Sequence, residues 1–352
     1  MAKGKKPEDR IREHERDRHE VALATLRGEV KEQKRRANVA IQRHAALQER
    51  FDTALQLATY KPPKKVARPK AKTSRRLMTA YACASDWHIE EEVLQTDVPG
   101  VDNQYNLEIS QARSQAFFQG LVALLRKHTR DYEIHHLYLG LLGDFITGWL
   151  RDEDREKNLL APTDAMMRAL DYLAWGIRLL LQETDMQVIY VICQDGNHER
   201  IHEKPQIRTG HINSYTWIMY HILRRLFQDE KRVVFQVSES TMAYTTDPSG
   251  HVTRWAHGDH GFRYNGGIMG LGVPAWKWLM RVDESCKADT TVIGHYHTLG
   301  FYGQCKLVTN GSLIGTNGYS LSLGFSEPPQ QAFWLVDYER GPCQMSPIWV
   351  SA

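Results

Sequence analysis

The sequence predicts a layered α/β sandwich over residues 77–352, preceded by a basic helical arm. Apolar runs that suit buried strands alternate with helical segments, and successive strands are far enough apart for one helix to fit between them. The chain then ends in three apolar runs that are predicted to be purely β. These observations place the chain among the α/β proteins.

In the first half of this domain, the sequence predicts three strand–helix units. The strand "LMTAYACASD" is followed by a helix over residues 106–127, and the strand "IHHLYLGLLGD" by a long helix that opens with Pro162 and Asp164. The strand "MQVIYVICQDGN" is followed by a helix over "SYTWIMYHILRRLF". The later segments "RVVFQV", "TMAYTT", "HVTRWAHG", "TTVIG", "FYGQCKLVTNG", "QQAFWLVDY" and "SPIWV" are predicted strands, with a helix near "PAWKWLMRV".

Composition indicates a soluble globular protein with a sizeable core. Of the 352 residues, 42% are hydrophobic and 25% are charged. No apolar run approaches the roughly 18 residues of a membrane-spanning helix, and the charged start "MAKGKKPEDR" is unlike a signal peptide. The five cysteines lack C-x-x-C spacing, which argues against a disulfide framework and a thiolate zinc site. We therefore expect a cytoplasmic protein without a membrane partner.

Charge divides the chain into a basic N-terminal region and an acidic body. Residues 1–76 contain 22 Lys and Arg against 10 Asp and Glu, a net charge of +12, and the remainder carries −9. We divide the chain into a charged helical arm (1–60), a basic Pro/Lys linker (61–76) and a catalytic domain (77–352). Such an asymmetry favours a polyanion as partner, and nucleic acid, DNA first, is the polyanion we expect.

The sequence leaves the roles of the arm and of the linker open. An apolar stripe between Val30 and Leu55 is interrupted by Lys34 and Gln48, so it is a weak coiled-coil seam through which a homo-oligomer would form. The linker has three prolines and eight basic side chains and is predicted to be extended and solvated. It would either contact nucleic-acid phosphates or act only as a tether.

Polar residues follow the predicted strands at the point where each strand ends. In open α/β folds, the carboxyl ends of strands are where sites are built. Taken singly, each residue has an ordinary explanation, such as a helix cap, a turn or a buried histidine. Their joint occurrence after five strands is far harder to explain by chance. The residues concerned are Asp86, His88, Asp144, Asn197, His198, His257, His295 and His297.

The ordered motifs D-x-H, G-D, G-N-H-E, H-G and G-H-x-H resemble those of the metallophosphoesterase (calcineurin-like) superfamily. The resemblance covers about residues 77–350 and implies a four-layer α/β/β/α sandwich with a two-metal centre. It implies that one metal is held by Asp86, His88 and His297. It further implies that the other is held by Asn197, His257 and His295, that Asp144 bridges the two, and that His198 is the catalytic acid.

The chemistry of these residue types agrees with those implied roles. Two close cations need a shared carboxylate to offset their repulsion, and a water between them becomes a hydroxide nucleophile near neutral pH. A ligand set without thiolate favours two divalent ions such as Mn²⁺, Fe or Zn²⁺, and Mn²⁺ is our first expectation. His198 follows a ligand directly in sequence, so its imidazole is free to protonate the leaving group.

The second motif narrows the substrate class. Phosphoprotein phosphatases of this superfamily continue it as G-D-x-x-D-R-G, whereas this chain has "GDFITGW". The motifs "SDWHIEE" and "TNGSLIG" are more similar to SbcD-type DNA-repair nucleases and their small phage-encoded relatives. This chain departs from that pattern because residues for a DNA-capping domain are missing, which puts processive exonuclease action and an ATPase partner in doubt.

A metal-dependent DNA exonuclease or endonuclease is therefore the predicted activity. A phosphomonoesterase or nucleotide phosphohydrolase and a catalytically inactive scaffold are the alternatives. The loop after the third motif, "ERIHEKPQIRTGHIN", supplies Arg200, Arg208 and His211 as candidate substrate-binding residues. They would contact substrate phosphates or else belong to a merely solvated loop.

Overall fold

The computed structural model describes most of the chain after residue 74. Described are residues 75–204, 206, 209–260, 277, 279, 281–283, 286–322, 324 and 326–350, together with Lys34. The chain divides into two units, residues 1–72 and 73–352. The predicted helical arm, the Val30–Leu55 stripe and most of the linker lie outside the described residues and stay predictions.

The first sheet has six strands in the order β11-β10-β1-β2-β3-β4. Strands β1 to β4 run parallel to one another, whereas β10 is antiparallel to both β1 and β11. The strands are β1 Arg76–Ala84, β2 Tyr132–Leu141, β3 Val188–Cys193, β4 Val233–Val237, β10 Gln330–Asp337 and β11 Gly341–Trp349.

The second sheet has five shorter strands in the order β5-β6-β7-β9-β8. Its three central strands β6, β7 and β9 are parallel, and the edge strands β5 and β8 are antiparallel to their neighbours. The strands are β5 Ala243–Thr246, β6 Val252–Ala256, β7 Thr290–Ile293, β8 Gly300–Tyr302 and β9 Leu307–Thr309.

Helices connect the parallel strands of the first sheet. Among the described residues, the helices with defined bounds are α1 Leu107–His128, α2 Asp152–Lys157, α3 Pro162–Glu183, α4 Tyr215–Leu226 and α5 Gly318–Ser322, with a 3₁₀ turn at His211–Asn213. Residues 281–283, within the helix predicted near "PAWKWLMRV", are also helical. Asn106 caps α1 by accepting hydrogen bonds from the main-chain N–H groups of Glu108 and Ile109, as its residue type favours. No helix among the described residues is long and apolar enough to cross a membrane.

The apolar core consists of separate layers, which confirms the predicted α/β sandwich. Helices α1, α3 and α4 bury Phe117, Leu173 and other apolar side chains against one face of the first sheet. Between the sheets, the ring of Tyr81 stacks on Trp334 with centroids 5.1 Å apart and on Trp255 at 6.1 Å. Leu279 packs with Ala256, Ile293 and Leu307 in a further apolar cluster on the second sheet.

The segment "FYGQCKLVTNG" is β, as predicted: it forms the hairpin of β8 and β9, with left-handed backbone angles at Gly303, Gln304 and Cys305 between the two strands. The short helices α2 and α5 were not predicted. Each has only five or six residues, too few for an apolar stripe to show in the sequence.

Candidate metal centre

The predicted site residues meet because the strands that precede them are in register. Ala84, Leu141 and Cys193 are cross-strand partners at the carboxyl ends of β1, β2 and β3. In the second sheet Ala256 pairs with Ile293 at the ends of β6 and β7. The turns after these five strand ends carry every predicted metal ligand and His198.

The backbone at this edge of the sheets is strained. Five of the predicted ligands are non-glycine residues with positive φ: Asp86 (58°), His88 (46°), Asp144 (53°), His295 (68°) and His297 (52°). Such angles are uncommon for residues with a Cβ and are found preferentially at functional sites. The turns thus aim these side chains at a local cost in backbone energy, which packing of the surrounding sheets must offset.

Glycines next to these residues allow the turns to approach one another closely. A Cβ on Gly294 would lie 2.6 Å from Ser85 Oγ and 2.7 Å from Asp86 Oδ2. A Cβ on Gly143, whose φ is +82°, would lie 2.2 Å from the main-chain nitrogen of Gly196. The glycines in the G-D, G-N-H and G-H-x-H motifs are therefore sterically required, because any side chain there would separate the strand ends.

Asp86, His88 and His297 form the first ligand group, in which one donor atom of each lies within 4.8 Å of the others. His297 Nε2 is 3.5 Å from Asp86 Oδ1. The Asp86 carboxylate accepts hydrogen bonds from the Ser85 hydroxyl and from the His295 main-chain N–H, the latter at 3.0 Å to each oxygen. The carboxylate is fully buried and is held from both sheets.

His88 presents its Nε2 because its other ring nitrogen is occupied. Nδ1–H donates to Thr147 Oγ1 at 3.0 Å, and that hydroxyl in turn donates to Glu91 Oε2 at 3.3 Å. Burial, followed by the neighbouring His198 and His297 rings, lowers the pKa of His88 to about 3. The ring is therefore neutral near pH 7, which is the protonation state that binds a metal ion.

Asp144, His257 and His295 form the second ligand group, with donor atoms again within 4.8 Å of one another. His257 Nε2 lies 3.0 Å from Asp144 Oδ2 and 3.1 Å from Asn197 Oδ1. Its Nδ1–H donates to the Leu142 carbonyl at 2.6 Å, which directs Nε2 toward those oxygens. Asn197 thus lies beside this group, where the resemblance places it.

Electrostatics distinguish the two histidines of the second group. Burial lowers the pKa of His295 to about 4, with a further contribution from His257. Burial also acts to lower the pKa of His257, but the adjacent Asp144 carboxylate outweighs it and raises this pKa well above its ordinary value. The Asp144 carboxylate therefore favours the charged form of the His257 ring, whereas the His295 ring is neutral near pH 7.

The donor set fits two divalent ions. Each group combines a buried carboxylate with two imidazoles, and one donor atom of each residue lies within 4.8 Å of the others. The first group contains the residues that the resemblance implies, and the second contains His257 and His295 together with Asp144. Its role as a bridge, the coordination by Asn197 and the identity of the ions stay predictions.

His198 lies next to the ligands without belonging to either group. Its main-chain N–H donates to Asp144 Oδ1 at 2.9 Å, and its ring Nδ1–H donates to the Thr147 carbonyl at 3.2 Å. The ring packs edge-on against His88 with centroids 5.0 Å apart. Because a carbonyl only accepts, Nδ1 carries a proton and Nε2 is the ring atom left for a substrate.

Two depressions adjoin the ligands. A cleft of about 260 Å³, here called the His198 cleft, is lined by His88, Asp144, His198, His295 and His297 together with residues of α2 and α5. A smaller cavity of about 40 Å³, here called the Arg200 cavity, is lined by Asn197, His257 and the predicted Arg200 and His211. His202 and Lys204 also line the Arg200 cavity, and Arg208 lies outside the described residues.

Sequence reasoning missed three residues that hold the turns in place. Glu199, fully buried, accepts from the main-chain N–H groups of Phe145 at 2.8 Å and Gly196 at 2.7 Å, which joins the second and third motifs. Glu90 accepts from the N–H groups of Thr147 and Gly148. Glu199 and Glu90 stand within the quoted motifs "GNHE" and "SDWHIEE", whereas no sequence signal marks Thr147.

Comparisons with known proteins give weak structural likenesses. Neither a family model nor a curated protein matches the sequence. A single mutant of Vps29 from Entamoeba histolytica is similar at a TM-score of 0.32 and 10% identity, over 76% of this chain and 98% of that chain. A conserved uncharacterized protein from Streptococcus pneumoniae, described as a predicted phosphoesterase, is similar at 0.30 and 10%, over 78% and 99%. Likenesses at this level carry no residue role to this chain.

Proposed function

We propose that this chain is a two-metal-dependent phosphodiesterase that acts on nucleic acid. The observation that carries the proposal is the convergence of two carboxylate–imidazole groups at shared strand ends, with His198 beside them and outside both. Metal ligands alone would be compatible with a storage or structural site. A histidine whose Nε2 is left open in a cleft next to them favours catalysis instead.

His198 is the proposed general acid. Its Nδ1–H is held by the Thr147 carbonyl, so a proton on Nε2 faces the cleft and can pass to the leaving oxygen. The His198 main-chain N–H donates to an oxygen of Asp144, and this hydrogen bond fixes the position of the backbone that carries the ring. When bound, two divalent ions would supply Lewis-acid polarisation of the phosphoryl oxygen and activation of water.

Basic side chains in the Arg200 cavity, which Asp195 and Asp259 also line, support a nucleic-acid substrate. Arg200, Lys204 and His211 line the Arg200 cavity beside the second ligand group, where they would contact phosphates flanking the reacting one. Arg208 belongs to the same loop and is proposed for the same role. The +12 charge of residues 1–76 supplies further attraction for a polyanion.

The test compares three substrate types with the same metal-stripped protein. Bis-p-nitrophenyl phosphate, p-nitrophenyl phosphate and DNA, both plasmid and linear, are incubated after addition of Mn²⁺, Fe²⁺, Zn²⁺ or Mg²⁺. We expect hydrolysis of the diester and of DNA, with Mn²⁺ most effective, and no turnover in EDTA. Preference for the monoester or for mononucleotides would establish the phosphomonoesterase alternative. Absence of all hydrolysis, with two ions bound, would indicate an inactive scaffold.

The basic arm and linker are proposed to bind the nucleic acid and not to take part in the chemistry. Replacing Lys64, Lys65, Lys70 and Lys72 by Gln in the full chain removes four positive charges from the linker. DNA affinity should fall, and the slope of log affinity against log salt should become shallower by up to about 3.6, because fewer counterions are released. Turnover of bis-p-nitrophenyl phosphate should not change.

An unchanged salt slope in this variant would exclude the linker as a DNA contact. The alternative proposal, a homo-oligomer formed through the Val30–Leu55 stripe, is tested separately by light scattering. Replacing Leu55 by Asp should lower the molar mass if that stripe is the interface. An unchanged monomeric mass in both proteins would leave the arm without an oligomerising role.

A further inference from the structure

Tyr319 combines high exposure with a position at the candidate site. Its side chain is 59% exposed, the largest value among the large hydrophobic residues of the described chain. It belongs to α5 and lines the His198 cleft together with His88, His198 and His297. An exposed aromatic ring at the rim of a polar cleft has little to gain from water and is suited to stacking on a flat ligand.

The backbone that carries Tyr319 is firmly held although the ring is exposed. Asn317 N–H donates to Ser320 Oγ at 3.0 Å, and Ser320 N–H donates back to Asn317 Oδ1 at 2.9 Å. Asn317 Nδ2 also donates to Glu91 Oε1 at 2.9 Å, which ties α5 to the turn that carries His88. A ring presented by such a support loses little conformational freedom when it binds a ligand.

The position of His198 indicates which side of the substrate enters the His198 cleft. A general acid must lie next to the leaving oxygen, and His198 lines the His198 cleft but not the Arg200 cavity, which is lined by His257 instead. The leaving group therefore occupies the His198 cleft. Arg151 and Lys157, which are exposed and line the same cleft, would meet a phosphate further along the leaving strand.

We propose that Tyr319 stacks on the base of the leaving nucleoside and makes the enzyme selective for nucleoside leaving groups. The inference rests on the proposed phosphodiesterase function. In the reaction, the water oxygen forms a bond to phosphorus and the bond from phosphorus to the leaving oxygen breaks. The proton on His198 Nε2 goes to that leaving oxygen, and the proton lost from water goes to solvent.

The test uses three dinucleotide substrates: TpT and its two analogues in which an abasic tetrahydrofuran replaces one nucleoside or the other. Product analysis identifies the leaving side, since the leaving nucleoside is released without phosphate. For Tyr319→Ala we expect kcat/KM on TpT to fall on the order of 5- to 100-fold, the usual effect of losing one base–aromatic stack. We expect no loss on the analogue that is abasic on the leaving side.

Two variants serve as controls. Tyr319→Phe keeps the ring and should hydrolyse TpT close to the wild-type rate. Trp349→Ala removes a comparably exposed aromatic ring, 57% exposed, from β11, and should have no effect on any of the substrates. All variants should bind two metal ions as the wild type does, which separates a stacking role from damage to the site.

The outcomes separate failure of this inference from failure of the proposed function. Equal losses for Tyr319→Ala on TpT and on the leaving-side abasic analogue would overturn the stacking role. The stacking role would also be overturned if the wild-type enzyme hydrolysed only one analogue more slowly than TpT, the one whose base is missing from the nucleoside that retains the phosphate. Hydrolysis of bis-p-nitrophenyl phosphate without TpT would refute selectivity for nucleosides but keep the phosphodiesterase. Absence of hydrolysis of both diesters would refute the proposed function itself.

Discussion

The two ligand groups are built from the same residue types but are held in different ways. In the first group, His88 is oriented by a side chain, the Thr147 hydroxyl, at 3.0 Å. In the second, His257 is oriented by a main-chain acceptor, the Leu142 carbonyl, at 2.6 Å. The first support depends on one residue type, whereas the second follows directly from the packing of the two sheets.

The groups are alike in access to solvent. Each has two buried side chains and one that is partly exposed, which is His297 in the first group and His295 in the second. They therefore differ in their supports and not in burial: the second is fixed by the backbone, and the first is adjustable by substitution. We therefore expect the first group to respond more strongly to changes in its supports.

Asp144→Asn should have the largest effect because it removes the buried negative charge of the second group. Loss of an ion forfeits several kcal/mol of transition-state stabilisation, so hydrolysis should fall by roughly 10³-fold or more. Metal content measured by mass spectrometry then sharpens the comparison. If Asp144 is the predicted bridge, the variant should lose the second ion as well as its activity.

A matched substitution controls for removing an acid elsewhere. Asp164 is exposed in the first turn of α3, so Asp164→Asn should keep both ions and full activity. Full activity together with two bound ions in Asp144→Asn would contradict the proposed site. The comparison of the two groups as metal sites would then have no basis.

His198→Ala tests whether His198 acts in catalysis without being a metal ligand of either group. Because His198 is bonded to Asp144 only through its main-chain N–H, the alanine variant keeps that contact and should bind two ions. Hydrolysis should fall by about 10²–10⁴-fold for substrates with poor leaving groups. The loss should be smaller for p-nitrophenolate, which needs less protonation. Loss of one ion in this variant would instead make His198 a ligand.

The site could be predicted from sequence only as far as side chains follow strands. Asp86, Asp144, Asn197 and His257 each come directly after an apolar run, so strand prediction alone brings them to one edge. Tertiary supports carry no such signal. Thr147 is distinguished only by what its atoms meet in three dimensions, because another threonine in a loop would look the same in the sequence.

Prediction of the fold from the sequence has the same limit, because only long repeated patterns are recognisable. The long strands β1 and β2 and the long helices α1 and α3 repeat their apolar pattern often enough to be recognised. The short helix α5 has five residues, and its place beside the cleft depends on the Asn317–Glu91 hydrogen bond between distant parts of the chain. Tyr319 was therefore not a candidate at the level of sequence.

Thr147→Val is the smallest and most specific change, because it removes one hydroxyl and keeps the shape of the side chain. The acceptor for His88 Nδ1–H is lost, while the Thr147 carbonyl that holds His198 and the Leu142 carbonyl that holds His257 remain. Affinity for one ion should fall about 10- to 100-fold, the usual effect of losing such a support, and affinity for the other should not change. Calorimetric titration of the metal-stripped protein resolves the two sites. Thr147→Ser keeps the hydroxyl and should restore most of the lost affinity. Equal weakening of both ions, or no rescue by serine, would mean that the groups are not supported independently.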